Sequence, residues 1–196
     1  MIKKSDIIII AIAVMLILIF VSFAAYVNLR KKAYEPKNYN GFVFNYAGTH
    51  WVTQVLSKNN ELFSVYFRFL PSEVEKIPVT GTLKNFTFKT GYTLFDPYDQ
   101  NLSLVGLGAA ELGISLGSIF NANFSQALCT KPYETEGQCL GVMTCESTNE
   151  SVILIRSAKT TEIIYQDNHC IILQGQGWGI LKSVDKFLYM LYGIIK

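Results

Sequence analysis

From Ile7 to Val27 the chain runs 21 residues without a charge, with Ile, Leu, Val and Phe at every angular position of a helix. At 1.5 Å per residue that is roughly 30 Å, the hydrocarbon thickness of a bilayer. The run predicts a transmembrane helix over residues 7–27, after a short tail at 1–6 and before a polar juxtamembrane linker at 28–40, "NLRKKAYEPKNYN". A cleaved secretory signal is the competing reading, through the small-x-small triplet Ser22-Phe23-Ala24. Signal cores, however, usually run only about 7–15 apolar residues.

Beyond the linker the period changes from helical to twofold. In "LFSVYFRFL", Phe63, Val65, Phe67 and Phe69 alternate with Ser64, Tyr66 and Arg68, as a half-buried strand requires, and Pro71 closes it. "GFVFNYA" and "WVTQVLS" precede it around Gly48-Thr49, and "TLKNFTFKT" and "YTLFDP" follow, so an antiparallel meander is expected. Between Asn101 and Phe120 helical spacing returns, with a small-residue stripe at Gly106, Ala110, Gly113 and Gly117 that would let a neighbour approach closely. Three short runs then follow, "SVILIRS", "TEIIYQ" and "CIILQG". Ala158-Lys159 and Asp167-Asn168-His169 separate them at hairpin distances. Leu181, Val184, Leu188, Leu191 and Ile195 recur every three or four residues opposite Lys182, Asp185 and Lys186, which predicts a closing amphipathic helix packed on the sheet. Residues 41–196 therefore read as one α+β domain: a mainly antiparallel sheet, a mid-chain helix and a C-terminal helix.

Charge bears on sidedness. Lys3 and Lys4 precede the apolar run while Arg30, Lys31, Lys32 and Lys37 follow it, and the positive-inside rule alone would leave the large part in the cytoplasm. The cysteines point outward: Cys129, Cys139, Cys145 and Cys170 are an even set confined to the last third of the chain. Disulfides persist outside reducing compartments. The gaps of nine, five and twenty-four residues are unlike the close pairs of a zinc site, and neighbouring His169 and Cys170 would point to opposite faces of a strand. Disulfides are the preferred use, with Cys129–Cys139 and Cys145–Cys170 the local pairing among three possible connectivities. Four N-x-[ST] sequons, at Asn85, Asn101, Asn123 and Asn149, also lie beyond the anchor as candidate glycan acceptors. Alternation around Phe86 and Phe88 places Asn85 on the solvent face of a strand.

Catalytic chemistry is sparse. His50 and His169 are the only histidines, and there is no G-x-S-x-G, H-E-x-x-H or P-loop. Gly106-x-Gly108 lacks the third glycine of a dinucleotide fingerprint because Glu111 stands there, so no cofactor is expected. "FDPYDQN" brings Asp96 and Asp99 near Asn101; a hard-cation loop would need more oxygen ligands, and the turn reading wins, so no metal is expected. A net charge of +2, with its basic residues gathered beside the apolar run, suits lipid headgroups and not nucleic acid.

The arrangement C-x24-C-I-I-L-Q-G followed by "LKSVDKFLYMLYGI", behind an N-terminal anchor, resembles uncharacterised single-pass membrane proteins of archaea. The likeness covers mainly residues 93–196 and rests on Cys145, Cys170, Asp185 and the closing Leu191-Tyr192-Gly193-Ile194. It implies an anchored domain and supplies no catalytic residue.

The expectation is a single-pass, signal-anchored membrane glycoprotein whose disulfide-bonded domain binds or assembles outside the cytoplasm, its partners the bilayer and other membrane or cell-surface proteins. Two alternatives remain open. One is an anchored envelope hydrolase using Asp96, Asp99 or His50; the other is a cytosol-facing accessory subunit with reduced thiols.

Overall fold

The computed structural model describes residues 4–57, 61–83, 86–132, 141–166 and 169–196, without side chains at 4–11, 13, 30–33, 119–120 and 125–128. The chain divides into two compact units, Met1–Lys37 and Asn38–Lys196.

The first unit is the helix α1, Lys4–Ala33. Residues 28–33, expected as linker, continue this helix, and the strand β1 begins at Lys37. The reason is local: Arg, Lys and Ala propagate a helix well, and cations near its C-terminus complement the backbone dipole. Among the described residues no helix is long and apolar enough to cross a membrane. The large apolar side chains of α1 that are described, from Ile12 to Leu29, are exposed except Val27, which is half-buried.

The second unit starts with a four-stranded sheet in the order β1 (Lys37–Tyr39), β2 (Phe42–Tyr46), β3 (Trp51–Leu56) and β4 (Leu62–Phe67). Here the expected antiparallel meander is found: β2 pairs β3 and β3 pairs β4 antiparallel, with Val52 opposite Tyr66 and Thr53 opposite Val65. Trp51, Thr53, Val55, Val65 and Phe67 are buried while Gln54, Ser64 and Tyr66 are exposed, the alternation read from the sequence. Pro71 does more than end β4. It opens the single turn α2, Pro71–Val74, whose Glu73 Oε2 accepts the Leu70 amide at 2.7 Å.

The second sheet has seven strands in the order β5 (Val79–Gly81), β10 (Glu162–Gln166), β11 (Cys170–Gly175), β9 (Val152–Ser157), β6 (Thr90–Phe95), β7 (Asn123–Cys129) and β8 (Gly141–Val142). It corrects the mainly antiparallel expectation. Only β10–β11 is antiparallel; β5–β10, β11–β9, β9–β6, β6–β7 and β7–β8 are parallel. The cause is the helix α3, Leu102–Phe120, which carries the chain from β6 back to begin β7 in the same direction. The β10–β11 hairpin is present, its turn residues Asp167 and Asn168 lying outside the described residues. No hairpin joins β9 and β10, because β11 is inserted between them. "TLKNFTFKT" is not a strand in its described part before Thr90, and Asn85 lies outside the described residues. Phe86 and Phe88 nonetheless turn inward while Thr87 and Lys89 are exposed, as the alternation expects, and Phe88 sits 6.3 Å from the Phe187 ring.

Helices cover one face of this sheet. On α3, Val105, Ala109, Leu112 and Leu116 are buried. The small-residue stripe at Gly106, Ala110 and Gly117 faces outward, contrary to expectation, and the close approach is made by Gly108 against Val184 and Leu181. The closing helix α4, Gly179–Leu191, lies between the two sheets, with Tyr189 stacked 3.9 Å from Phe67. Burial on several sides corrects the one-sided picture of α4: Asp185 is 1% and Lys186 6% exposed. The sheet's other face carries a smaller cluster of Leu94, Val152, Leu154 and Ile172 with the Cys145–Cys170 disulfide.

Candidate functional site

Two concave features hold the sequence-nominated groups, in different places. The first lies where β6, β9 and β7 end, the carboxyl edge of a parallel sheet where ligands of open α/β folds usually bind. It is a cavity of about 350 Å³ lined by Asp96, Asp99, Lys131, Glu146, Arg156 and Ser157 among others. Asp96 and Asp99 are brought together here by the β6–α3 turn, in which the Asp99 amide donates to the Asp96 carbonyl.

Both carboxylates have structural partners. Asp96 accepts Lys131 Nζ at 2.6 Å and the Tyr98 amide at 3.0 Å. Partial burial pushes its carboxyl up, but the Lys131 hydrogen bond, the Tyr98 amide and the Lys131 charge outweigh this and hold it below the usual range. Asp99 accepts the Ser157 hydroxyl at 2.5 Å, the Ser157 amide at 2.7 Å and the Asn101 amide at 2.8 Å, so it fastens the start of α3 to the end of β9. Arg156 donates through Nε to Gln174. Glu146 is held below the usual range by its own amide and the Thr144 side chain.

The second feature is a groove of about 480 Å³ between β4 and α3. One wall is the run 63–66; the other is formed by Glu111, Ile114, Ser115 and Ser118, one face of a helix at i, i+3, i+4 and i+7. His50 lines one end, its Nε2 3.9 Å from Glu111 Oε1 and its Nδ1 2.8 Å from Thr49 Oγ1. Arg68 closes that end, with Nε and Nη2 each 2.7 Å from Glu111 Oε1. Behind it Asp185 Oδ2 accepts the Arg68 and Phe69 amides, both at 2.9 Å. Burial pushes the Asp185 carboxyl up to about 8, the Glu111 charge adding to this while the two amides and the Arg68 charge oppose it. Tyr189 completes the lock by donating to the Phe69 carbonyl at 2.6 Å, and burial raises its phenol.

His50 is thus separated from Asp96 and Asp99, each lining a different feature. Cys145 and Cys170 are disulfide-bonded to each other, as expected; Cys129 is disulfide-bonded, and Cys139 lies outside the described residues. His169 is a half-buried strap, its Nε2 2.8 Å from the Cys145 carbonyl. Of the sequons, Asn123 and Asn149 are exposed, Asn101 is half-buried with Nδ2 donated to Ser157, and Asn85 is outside the described residues. Among the described residues no group of three or more His, Cys, Asp or Glu could hold a metal ion.

The alternation pattern missed the Arg68–Glu111–Asp185 network by placing Arg68 and Asp185 on solvent faces. One signal was available: Glu111 is the only charge in the 19 residues of α3, which marks it for a specific partner. Compared with protein-family models, curated proteins and solved structures, the chain has no match, so no relative's residue roles can be carried onto these features.

Proposed function

We propose that the chain is a membrane-anchored binding or assembly module, with α1 as an uncleaved signal anchor and the unit Asn38–Lys196 working on the extracytoplasmic side. The observation that carries this reading is the Cys145–Cys170 disulfide, which ties the segment after β8 to β11. Such a bridge is maintained in oxidising compartments. The described part of α1 is not by itself long and apolar enough to span a membrane; the anchor reading rests on the sequence, in which residues 7–27 carry no charge. Leu16 to Phe20 are each more than half exposed, and five successive residues at about 100° apiece go round the whole circumference. A surface helix of a globular protein would show one apolar stripe. Arg30, Lys31 and Lys32 then serve as headgroup contacts. Exposed Asn123 and Asn149 are the glycan acceptors this placement offers.

Binding is favoured over hydrolysis by the same geometry. A general acid and base must converge on one substrate position. Asp96 and Asp99 are instead occupied with Lys131 and Ser157, and His50 lines a different feature.

Alkylation of the full chain in its membrane without reductant, followed by peptide mass spectrometry, tests the placement. Cys145 and Cys170 are expected linked and unalkylated. Quantitative alkylation of both would overturn it in favour of a cytosol-facing domain.

A further inference from the structure

The groove between β4 and α3 has an open strand edge as one of its walls. The Ala47 amide donates to the His50 carbonyl at 2.8 Å and closes the β2–β3 turn. Hydrogen-bonded and non-bonded pairs alternate along an antiparallel ladder. From that turn, Val52 directs its peptide groups to β2, whereas Trp51, Thr53 and Val55 direct theirs to Phe67, Val65 and Phe63 of β4. Leu62, Ser64 and Tyr66 therefore present their amides and carbonyls away from β3. The next amide in this outward series, that of Arg68, is already taken by Asp185. β4 is the terminal strand of its sheet, paired with β3 alone among the described strands.

The groove's chemistry selects what completes that edge. Leu62–Phe67 carries no charge, and the single charge of α3, Glu111, is neutralised by Arg68 at 2.7 Å. A charged side chain entering would give up water without gaining a partner, whereas outward peptide groups are matched by another extended backbone. Ile114 is 70% and Tyr66 60% exposed, apolar surface suited to alternate side chains of such a strand. The α3 residues Glu111, Ile114, Ser115 and Ser118 form the far wall.

We propose that this groove binds an uncharged extended segment of another protein, apolar at every second residue, which adds to β4 as a fifth strand through the backbone of Ser64 and Tyr66. The proposal deepens the binding half of the reading above and is independent of the side of the membrane, so reduced thiols would leave it standing.

The probe is an N-acetylated, C-amidated heptapeptide alternating valine and threonine, added to the full chain in detergent micelles, with amide hydrogen exchange read by NMR. Saturating peptide is expected to slow exchange at Ser64 and Tyr66 about tenfold or more and to leave Phe63 and Val65, already paired to β3, unchanged. Ser64→Pro removes one outward donor at an edge position that tolerates proline and should weaken binding about tenfold. Ile114→Lys brings a charge into the groove without touching the ladder and should weaken it similarly, which keeps the test decisive if the proline variant does not fold. Peptide binding with unchanged exchange at Ser64 and Tyr66, or no binding at all, would overturn the proposal. Concentration-dependent protection of both amides without peptide, with a dimer in sedimentation, would overturn it in favour of a second copy of the chain.

Discussion

The carboxyl group of Asp185 on α4 accepts the backbone amide of Phe69 at 2.9 Å through Oδ2, across 116 positions of chain. It is one of three ties from α4 to the segment after β4. Tyr189 donates to the Phe69 carbonyl, and Lys186 donates to the carbonyls of Glu75, at 2.8 Å, and Ile77. The exit of β4, and with it the closed end of the groove, is positioned by a helix more than a hundred residues away in sequence.

Asp185 makes stability depend on pH. Its carboxyl is raised to about 8 in the fold, mainly by burial, and returns to the ordinary carboxylate range when the chain unfolds. Between about pH 4 and 8 the folded state therefore holds a proton that the unfolded state has released. The contribution is fully present below about pH 4, declines as pH rises and is lost above about 8, a swing on the order of a few kcal/mol. Asp185→Asn keeps an oxygen for both amides and removes the titration. Urea melts at pH 5 and pH 8 should differ in the native protein and agree more closely in the variant; an unchanged difference would place the titrating group elsewhere.

Removing the bridge from Cys170 to Cys145 should cost roughly 2–5 kcal/mol. Cys170 is fully buried in the cluster beneath the disulfide, so Cys170→Ser adds a buried hydroxyl to that loss. Thermal unfolding of Cys170→Ser should fall by many degrees, and a midpoint equal to that of the native protein would show that the bridge adds nothing.

Thr93 in β6 is 1% exposed, and its hydroxyl has no hydrogen-bond partner among the described residues. An unpaired buried hydroxyl costs about 1–3 kcal/mol, while valine has nearly the same shape. Thr93→Val should therefore raise the urea midpoint, by about 1 kcal/mol in stability. A loss would reveal a partner for this hydroxyl, such as a buried water.

What could be read from the sequence divides along a physical line. The β4 alternation and the spacing of α4 are local signals, and Val65, Phe67 and Val184 are buried as those periods require; α3 is a helix as its spacing predicts, but its small-residue stripe lies on the outward face and not on the packed one. Strand direction depends on what lies between strands. Short loops on both sides of "TEIIYQ" suggest two hairpins, of which the one to "CIILQG" is found; "SVILIRS" instead pairs "CIILQG" in parallel, and Val152 to Ile155 and Cys170 to Gly175 are buried without a break. Continuous apolar runs mark strands covered on both faces, the habit of parallel sheets, and that signal was present. Asp185 and Lys186 were hidden for a different reason: an amphipathic pattern assumes one buried face, and α4 is enclosed by two sheets. Asp96 and Asp99 fall together because only Pro97 and Tyr98 of one turn separate them, whereas Glu111 and Arg68 meet through the tertiary fold alone.

Two glycines of α3, two positions apart, should respond differently to the same change. A Cβ at Gly106 would meet nothing within 4 Å, so Gly106→Ala adds helix propensity without cost and should stabilise by about 1 kcal/mol. At Gly108 the same atom would lie 3.1 Å from Val184 Cγ2 and 3.4 Å from Leu181 Cδ2. The Val184 and Leu181 side chains of α4 would have to give way by a few tenths of an ångström, and overpacking costs about 1–3 kcal/mol, enough to cancel or reverse the propensity gain. Urea denaturation of both variants measures the difference directly. Gly106→Ala should be the more stable of the pair, and the opposite order would mean that the α3–α4 contact yields more readily than its spacing implies.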